Sequence, residues 1–169
     1  LVEGIPLGVE LASTWVRILP CAEIAREIEA GLAFLETPLR DVPERHRSLR
    51  AVFDYSWNLL SDEERIAFQS MSVFRGGFDR AAGRKVAGAS LQMLSSLVDK
   101  SLLRADVSGR YGTHEMLRQF AEQTLDGLPE QRKTVRDLHR RNYAEFLHER
   151  EQYLEGSGQE DPLDEIGRE

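Results

Sequence analysis

The stretch of this chain best suited to chemistry is Thr113-His114-Glu115. It falls where a returning strand should end and a helix should begin. An imidazole at such a junction faces the N–H-rich start of a helix, a position from which it can touch an anion. Nothing around it points to bond-breaking chemistry. There is no Gly-x-x-x-x-Gly-Lys-Ser/Thr loop; Gly76-Gly77 and Gly83-Arg84-Lys85 have the wrong spacing and no following hydroxyl. There is no Gly-x-Ser-x-Gly, and His114-Glu115 lacks a second histidine because position 118 is Arg. No catalytic residue and no metal-ligand set is expected. The single cysteine, Cys21, allows no internal disulfide. It is expected to be a small, semi-buried side chain in a reducing, cytoplasmic setting.

The bulk properties agree with a binding or regulatory role. Of 169 residues, 41% are hydrophobic and 30% charged, an ordinary globular composition. No apolar run approaches a membrane span. The net charge of −7 is uneven. Residues 151–169 carry Glu151, Glu155, Glu160, Asp161, Asp164, Glu165 and Glu169 against Arg168, a net of −6 that leaves −1 for the remaining 150 residues. The body lacks the positive balance of a nucleic-acid binder. The chain opens on Leu1 rather than Met and reads as a fragment of a longer polypeptide.

The elements that must position His114 follow from periodicity. Pro6 suits the first turn of a helix reaching into residues 4–18. A second helix is expected over 21–34, with Ile24, Ile28, Leu32 and Leu35 on one face. Pro38 and Pro43 mark a linker over 36–47, where the chain could hinge. From Ser48, residues Leu49, Val52, Phe53, Ser56, Trp57 and Leu60 keep a helical period. Ser61-Asp62-Glu63-Glu64 is a capping box that starts the next helix. Gly76-Gly77 breaks the chain, a short helix follows near 79–87, and Ser90 caps another. Leu102–Ala105 and Arg110–Thr113 read as strands around the turn Asp106-Val107-Ser108-Gly109. Helices over 115–126 and roughly 130–154 close the ordered part. Trp15 and Trp57 have core spacing.

Short helices followed by a two-stranded hairpin give the order of a winged helix with the hairpin as its wing. The expected fold class is mainly α: a helical subdomain (1–40), a winged-helix domain (41–127), a long helix starting a helical repeat region (128–155), and an acidic flexible tail (156–169). The helix before the wing would be the DNA reader. Residues 90–101 offer Gln92, serines, Asp99 and Lys100 but no arginine, and the wing adds only Arg104 and Arg110. A groove reader needs more donors, so direct DNA binding is not expected. The run Arg132, Lys133, Arg136, His139, Arg140, Arg141 reads as a solvated helix face.

Several segments resemble one family. Gly4-Ile5-Pro6-Leu7 is similar to the Gly-x-Pro motif of signal-transduction ATPases of the STAND or NB-ARC class. His114 within Thr113-His114-Glu115 resembles their Met-His-Asp motif, with Thr for Met and Glu for Asp. Arg47-Ser48-Leu49-Arg50-Ala51, Tyr55-Ser56-Trp57, Ser72-Val73-Phe74-Arg75-Gly76-Gly77-Phe78 and Leu97-Val98-Asp99-Lys100-Ser101-Leu102 resemble the winged-helix domain of bacterial members. Those members are often transcriptional regulators with tetratricopeptide-like repeats. The resemblance covers roughly residues 2–150. It implies a nucleotide site for ADP or ATP, with Pro6 and Gly4 near the adenine and His114 on the β-phosphate of ADP. A histidine-to-phosphate bond contributes roughly 1.5–3 kcal/mol, about ten- to a hundredfold in affinity. Phosphate-cradling and Mg²⁺-binding parts would come from an upstream domain, so no nucleotide is expected to bind the chain tightly alone. The implied partners are that upstream nucleotide-binding domain, downstream helical repeats, and other copies on activation. Two alternatives stay open: a winged-helix DNA-binding regulator, and a ligand-free helical interaction module in which His114 is only a half-exposed strand-end residue.

Overall fold

The computed structural model describes residues 2, 4–35 and 48–154. The expected linker over 36–47 and the acidic tail over 156–169 lie outside the described residues. The chain is mainly helical. Its elements are α1 (Pro6–Ser13), α2 (Cys21–Ala30), a 3₁₀ turn (Leu32–Phe34), α3 (Leu49–Asn58), α4 (Asp62–Met71), α5 (Arg80–Ala87), α6 (Leu91–Asp99), β1 (Arg104–Ala105), β2 (Tyr111–Gly112), α7 (Glu115–Asp126) and α8 (Pro129–Leu154). Helices α3 to α6, then the hairpin, then α7 form the winged helix.

Side chains that cap α3 to α6 explain where these helices begin. Ser48, Ser61, Asp79 and Ser90 each accept a hydrogen bond from the third residue beyond. At α4 the capping box is complete: Ser61 accepts from Glu64 N–H, and Glu64 accepts from Ser61 N–H. Pro6 opens α1 as its first residue. Two expected helices end early. The first stops at Ser13 and passes into turns, and the second stops where Gly31 takes an extended backbone. Gly88 closes α5 in the left-handed conformation.

The wing is shorter than the sequence suggests but broader. Arg104 pairs Gly112 and Ala105 pairs Tyr111 in an antiparallel ladder. Phe78 then pairs with Tyr111 from the other side, exchanging two N–H···O bonds of 2.8 Å. Gly77 makes this rung possible. Its φ is +88°, and a Cβ there would lie 2.8 Å from the Tyr111 carbonyl oxygen. Leu102 and Leu103, expected in the strand, instead leave α6 through Ser101 at φ +58° and are buried.

One apolar cluster joins both ends of the described chain. Leu11, Ile24, Ile28 and Leu35 from the N-terminal helices are buried with Leu49, Phe53, Phe68, Met116 and Phe120. Trp57 stands edge-on to Phe120, and Trp15 stacks on Phe34, both as packing residues. Glycine at position 8 lets α1 come close: a Cβ would sit 3.2 Å from Val2 and 3.3 Å from Leu49. Val135, Leu138 and Tyr143 of α8 pack on the same cluster. No helix of the described residues is long and apolar enough to cross a membrane.

Candidate functional site

His114 is the N-cap of α7. Its Nδ1 accepts a hydrogen bond from Met116 N–H at 3.1 Å, and its Nε2 lies 3.2 Å from the carbonyl oxygen of Val2. An N–H cannot accept and a carbonyl cannot donate. The pair therefore fits the neutral tautomer with its proton on Nε2. The side chain is 4% exposed, far from the half-exposed strand-end histidine of the bland reading. Burial of a polar ring is tolerable because both nitrogens are bonded.

Val2 belongs to a β-turn closed by Ile5 N–H on Val2 O at 2.8 Å. Gly4 occupies the third position of that turn at φ +79°, where an L side chain is strained. The turn leads straight into Pro6 and α1. Sequence positions 4–6 and 114, far apart in the chain, thus come together through the Val2 carbonyl. Pro6 and Gly4 are both exposed. In this arrangement the Nε2 of His114 faces the Val2 carbonyl.

Glu115, in place of the motif aspartate, holds an arginine. Arg118 is 6% exposed. Its guanidinium makes a bidentate pair with Glu115 (2.8 Å twice) and donates to Glu122 (2.8 Å) and to the Ser72 carbonyl (3.1 Å). Arg118 holds the Glu115 carboxyl below its usual range, and Glu115 in turn raises the already high pKa of the guanidinium. Sequence reasoning missed this residue. The available signal was an arginine with acids three before and four after it on one helix.

Helix α6, the reader position of a winged helix, presents Leu91, Gln92, Ser95 and Asp99 to solvent. Its one cation is occupied. Lys100 Nζ donates to both Glu64 oxygens (2.8 and 2.7 Å), and Ser96 Oγ donates to Glu64 at 2.6 Å. Together with the Ser61 N–H these contacts bring the Glu64 carboxyl down to about 2, Lys100 having the largest effect.

The basic run of α8 is not a uniform solvated face. Arg132 pairs with Asp126, Arg136 with Glu122 and Arg140 with Asp137. His139 packs edge-on against Phe74 and against Tyr143, and this burial lowers its pKa. Cys21, expected to be semi-buried, is exposed: it shares the face of Ile24 and Ile28 but is the first residue of α2, at the open end of that face.

Comparison with known proteins gives a coarse placement. Over 133 residues the chain is 39% identical to a Mycobacterium tuberculosis protein provisionally named an HTH-type transcriptional regulator, and to a Mycobacterium bovis protein of the same description. The match covers 73% of this chain and 15% of each relative, so the chain spans a small part of their length. An uncharacterized M. tuberculosis protein is 26% identical over 137 residues, covering 76% of this chain and 35% of that protein. No family model matches, and no solved structure matches.

Proposed function

We propose that this chain is the regulatory segment of a STAND-type signal-transduction ATPase acting as a transcriptional regulator. In this reading the winged helix is an intramolecular lever and His114 is its contact point. The observation that carries the reading is the meeting of His114 with the turn that opens the Gly-x-Pro segment, at 3.2 Å through Val2 O. The similarity to a segment of HTH-type regulators supports the regulatory half of it. The chain lacks a phosphate-cradling loop and is assigned no hydrolysis of its own; ADP or ATP would be held mainly by an upstream domain. Bound ADP would supply an anion within reach of the junction, and the state of the switch would be read by which partner His114 keeps. Downstream helical repeats, beginning with α8, would carry the signal, and released surfaces would allow self-association. The reaction compartment would be the cytoplasm.

The test is the nucleotide content of the longer protein as purified, after heat release, for wild type and His114→Ala. Wild type is expected to hold ADP and the variant to lose it, with raised basal activity. Equal ADP retention in both would sink the role given to His114.

A second reading, a DNA-binding winged helix, draws on the HTH description of the relatives. Lys100 occupied by Glu64 and the absence of arginine on α6 weigh against it. Binding of duplex DNA with a linear dependence of log affinity on log salt would favour that reading. No binding at low salt would remove it.

A further inference from the structure

We infer that His114 and the Val2–Ile5 turn form a latch that holds the N-terminal helices on the winged helix. The buried imidazole bridges two elements at once. Nδ1 is committed to Met116 N–H, which starts α7, and Nε2 to Val2 O, which starts the turn before α1. A neutral imidazole has one N–H, and the bond to Val2 O uses it. The proton at Nε2 therefore cannot serve Val2 and an external anion together. Any ligand group that takes His114 must first open the latch, and opening it frees the turn that carries Gly4 and Pro6.

The turn is built to present this carbonyl. Val2 O already accepts from Ile5 N–H at 2.8 Å, which fixes its direction. Gly4 supplies the positive φ that closes the turn, and a Cβ there would meet no atom within 4 Å. The requirement for glycine is one of backbone conformation, with no steric contact behind it. On the far side the Val2 side chain packs closely against Gly8 of α1. The geometry separates two roles of His114. Capping α7 needs only an acceptor at the Nδ1 position, whereas latching needs a donor long enough to reach Val2.

The latch stands on this geometry; its use as a switch rests on the function proposed above. The experiment uses the 169-residue chain with ¹⁵N-labelled histidine and no nucleotide, and follows solvent exchange of the His114 Nε2–H. In Gly4→Ala the L residue disfavours the left-handed turn, and exchange is expected to accelerate about tenfold. D-alanine at position 4, introduced by joining a synthetic N-terminal peptide, prefers that conformation and is expected to exchange as wild type does. A second variant, His114→Asn, keeps a good cap for α7 but is too short for Val2. It should leave amide protection in α7 unchanged and lower it several-fold in α1. Equal Nε2–H exchange in the Gly4, L-Ala and D-Ala proteins would overturn the latch. So would wild-type protection of α1 in His114→Asn. These outcomes are independent of nucleotide: loss of ADP retention tests the switch reading, and a chain can pass one test and fail the other.

Discussion

Replacing Glu64 by glutamine should destabilise the winged helix through α6 rather than through its own helix. The carboxylate accepts four bonds: Ser61 N–H at 2.8 Å, Ser96 Oγ–H at 2.6 Å, and Lys100 Nζ at 2.8 and 2.7 Å. Glutamine keeps an acceptor for the capping box and removes the charge that Lys100 needs. Bonds to a charged partner contribute about 1.5–3 kcal/mol net. The pair is 13% and 31% exposed at its two side chains, between the regimes of surface and buried ion pairs. A loss of about 2 kcal/mol for Glu64→Gln follows, with a coupling to Lys100→Met of about 1–2 kcal/mol in a double-mutant cycle. Urea unfolding followed by helical circular dichroism is the assay, and a loss of that size shifts the midpoint by roughly 1 M. The pH dependence provides a second reading. The folded carboxyl lies near 2, against an ordinary value of 4.5, so the folded state binds fewer protons in between. The stabilisation is complete above 4.5 and is lost as pH falls toward 2; in Glu64→Gln that part of the acid limb should flatten. A coupling below about 0.5 kcal/mol would show that the pair behaves as an ordinary surface contact and that α6 is held by apolar packing alone.

Arg118→Ala should cost about 3 kcal/mol, because it removes the bonds to two part-exposed carboxylates and leaves the Ser72 carbonyl facing a hole. Urea unfolding should show most of that loss recovered in Arg118→Met combined with Glu115→Gln and Glu122→Gln. His139 adds a dependence near neutrality. Burial lowers its pKa from 6.5, and Arg75 from the segment after α4, Arg118 and Glu122 from α7, and Arg136 and Arg140 from α8 share its groove. The unfolded state binds more protons below about 6.5, so stability is full above that value and declines as pH falls through it. Thermal unfolding of His139→Phe should lack this slope.

Much of the scaffold was legible because its signals are local. Ser48 and Ser90 sit one residue before apolar-periodic runs, Ser61 opens a capping box, and each does cap. Residues 115–126 form a helix as their period requires. What escaped was long-range. The rung between Phe78 and Tyr111 depends on a single residue with no strand pattern around it. Gly77 was legible as a break, whereas its role in admitting Tyr111 needs the folded partner. The burial of His114 depends on Val2, 112 positions away. Arg118 lies on the buried face between Leu117 and Phe120, where a binary apolar pattern makes no place for a charge.

Helix α7 is where a lever would have to act. Its N-cap His114 holds the N-terminal turn, and Arg118 in its first turns holds the end of α4 through Ser72 O. Gln123 accepts from Arg50 of α3 at 3.0 Å, and Glu122 reaches Arg136 of α8. Interdigitated side chains already resist small sliding steps. These polar bonds have short reach and fixed geometry, and the buried ones are costly to leave unmade. A displacement of α7 large enough to matter must break several of them together or none. That condition favours two discrete arrangements over a continuum.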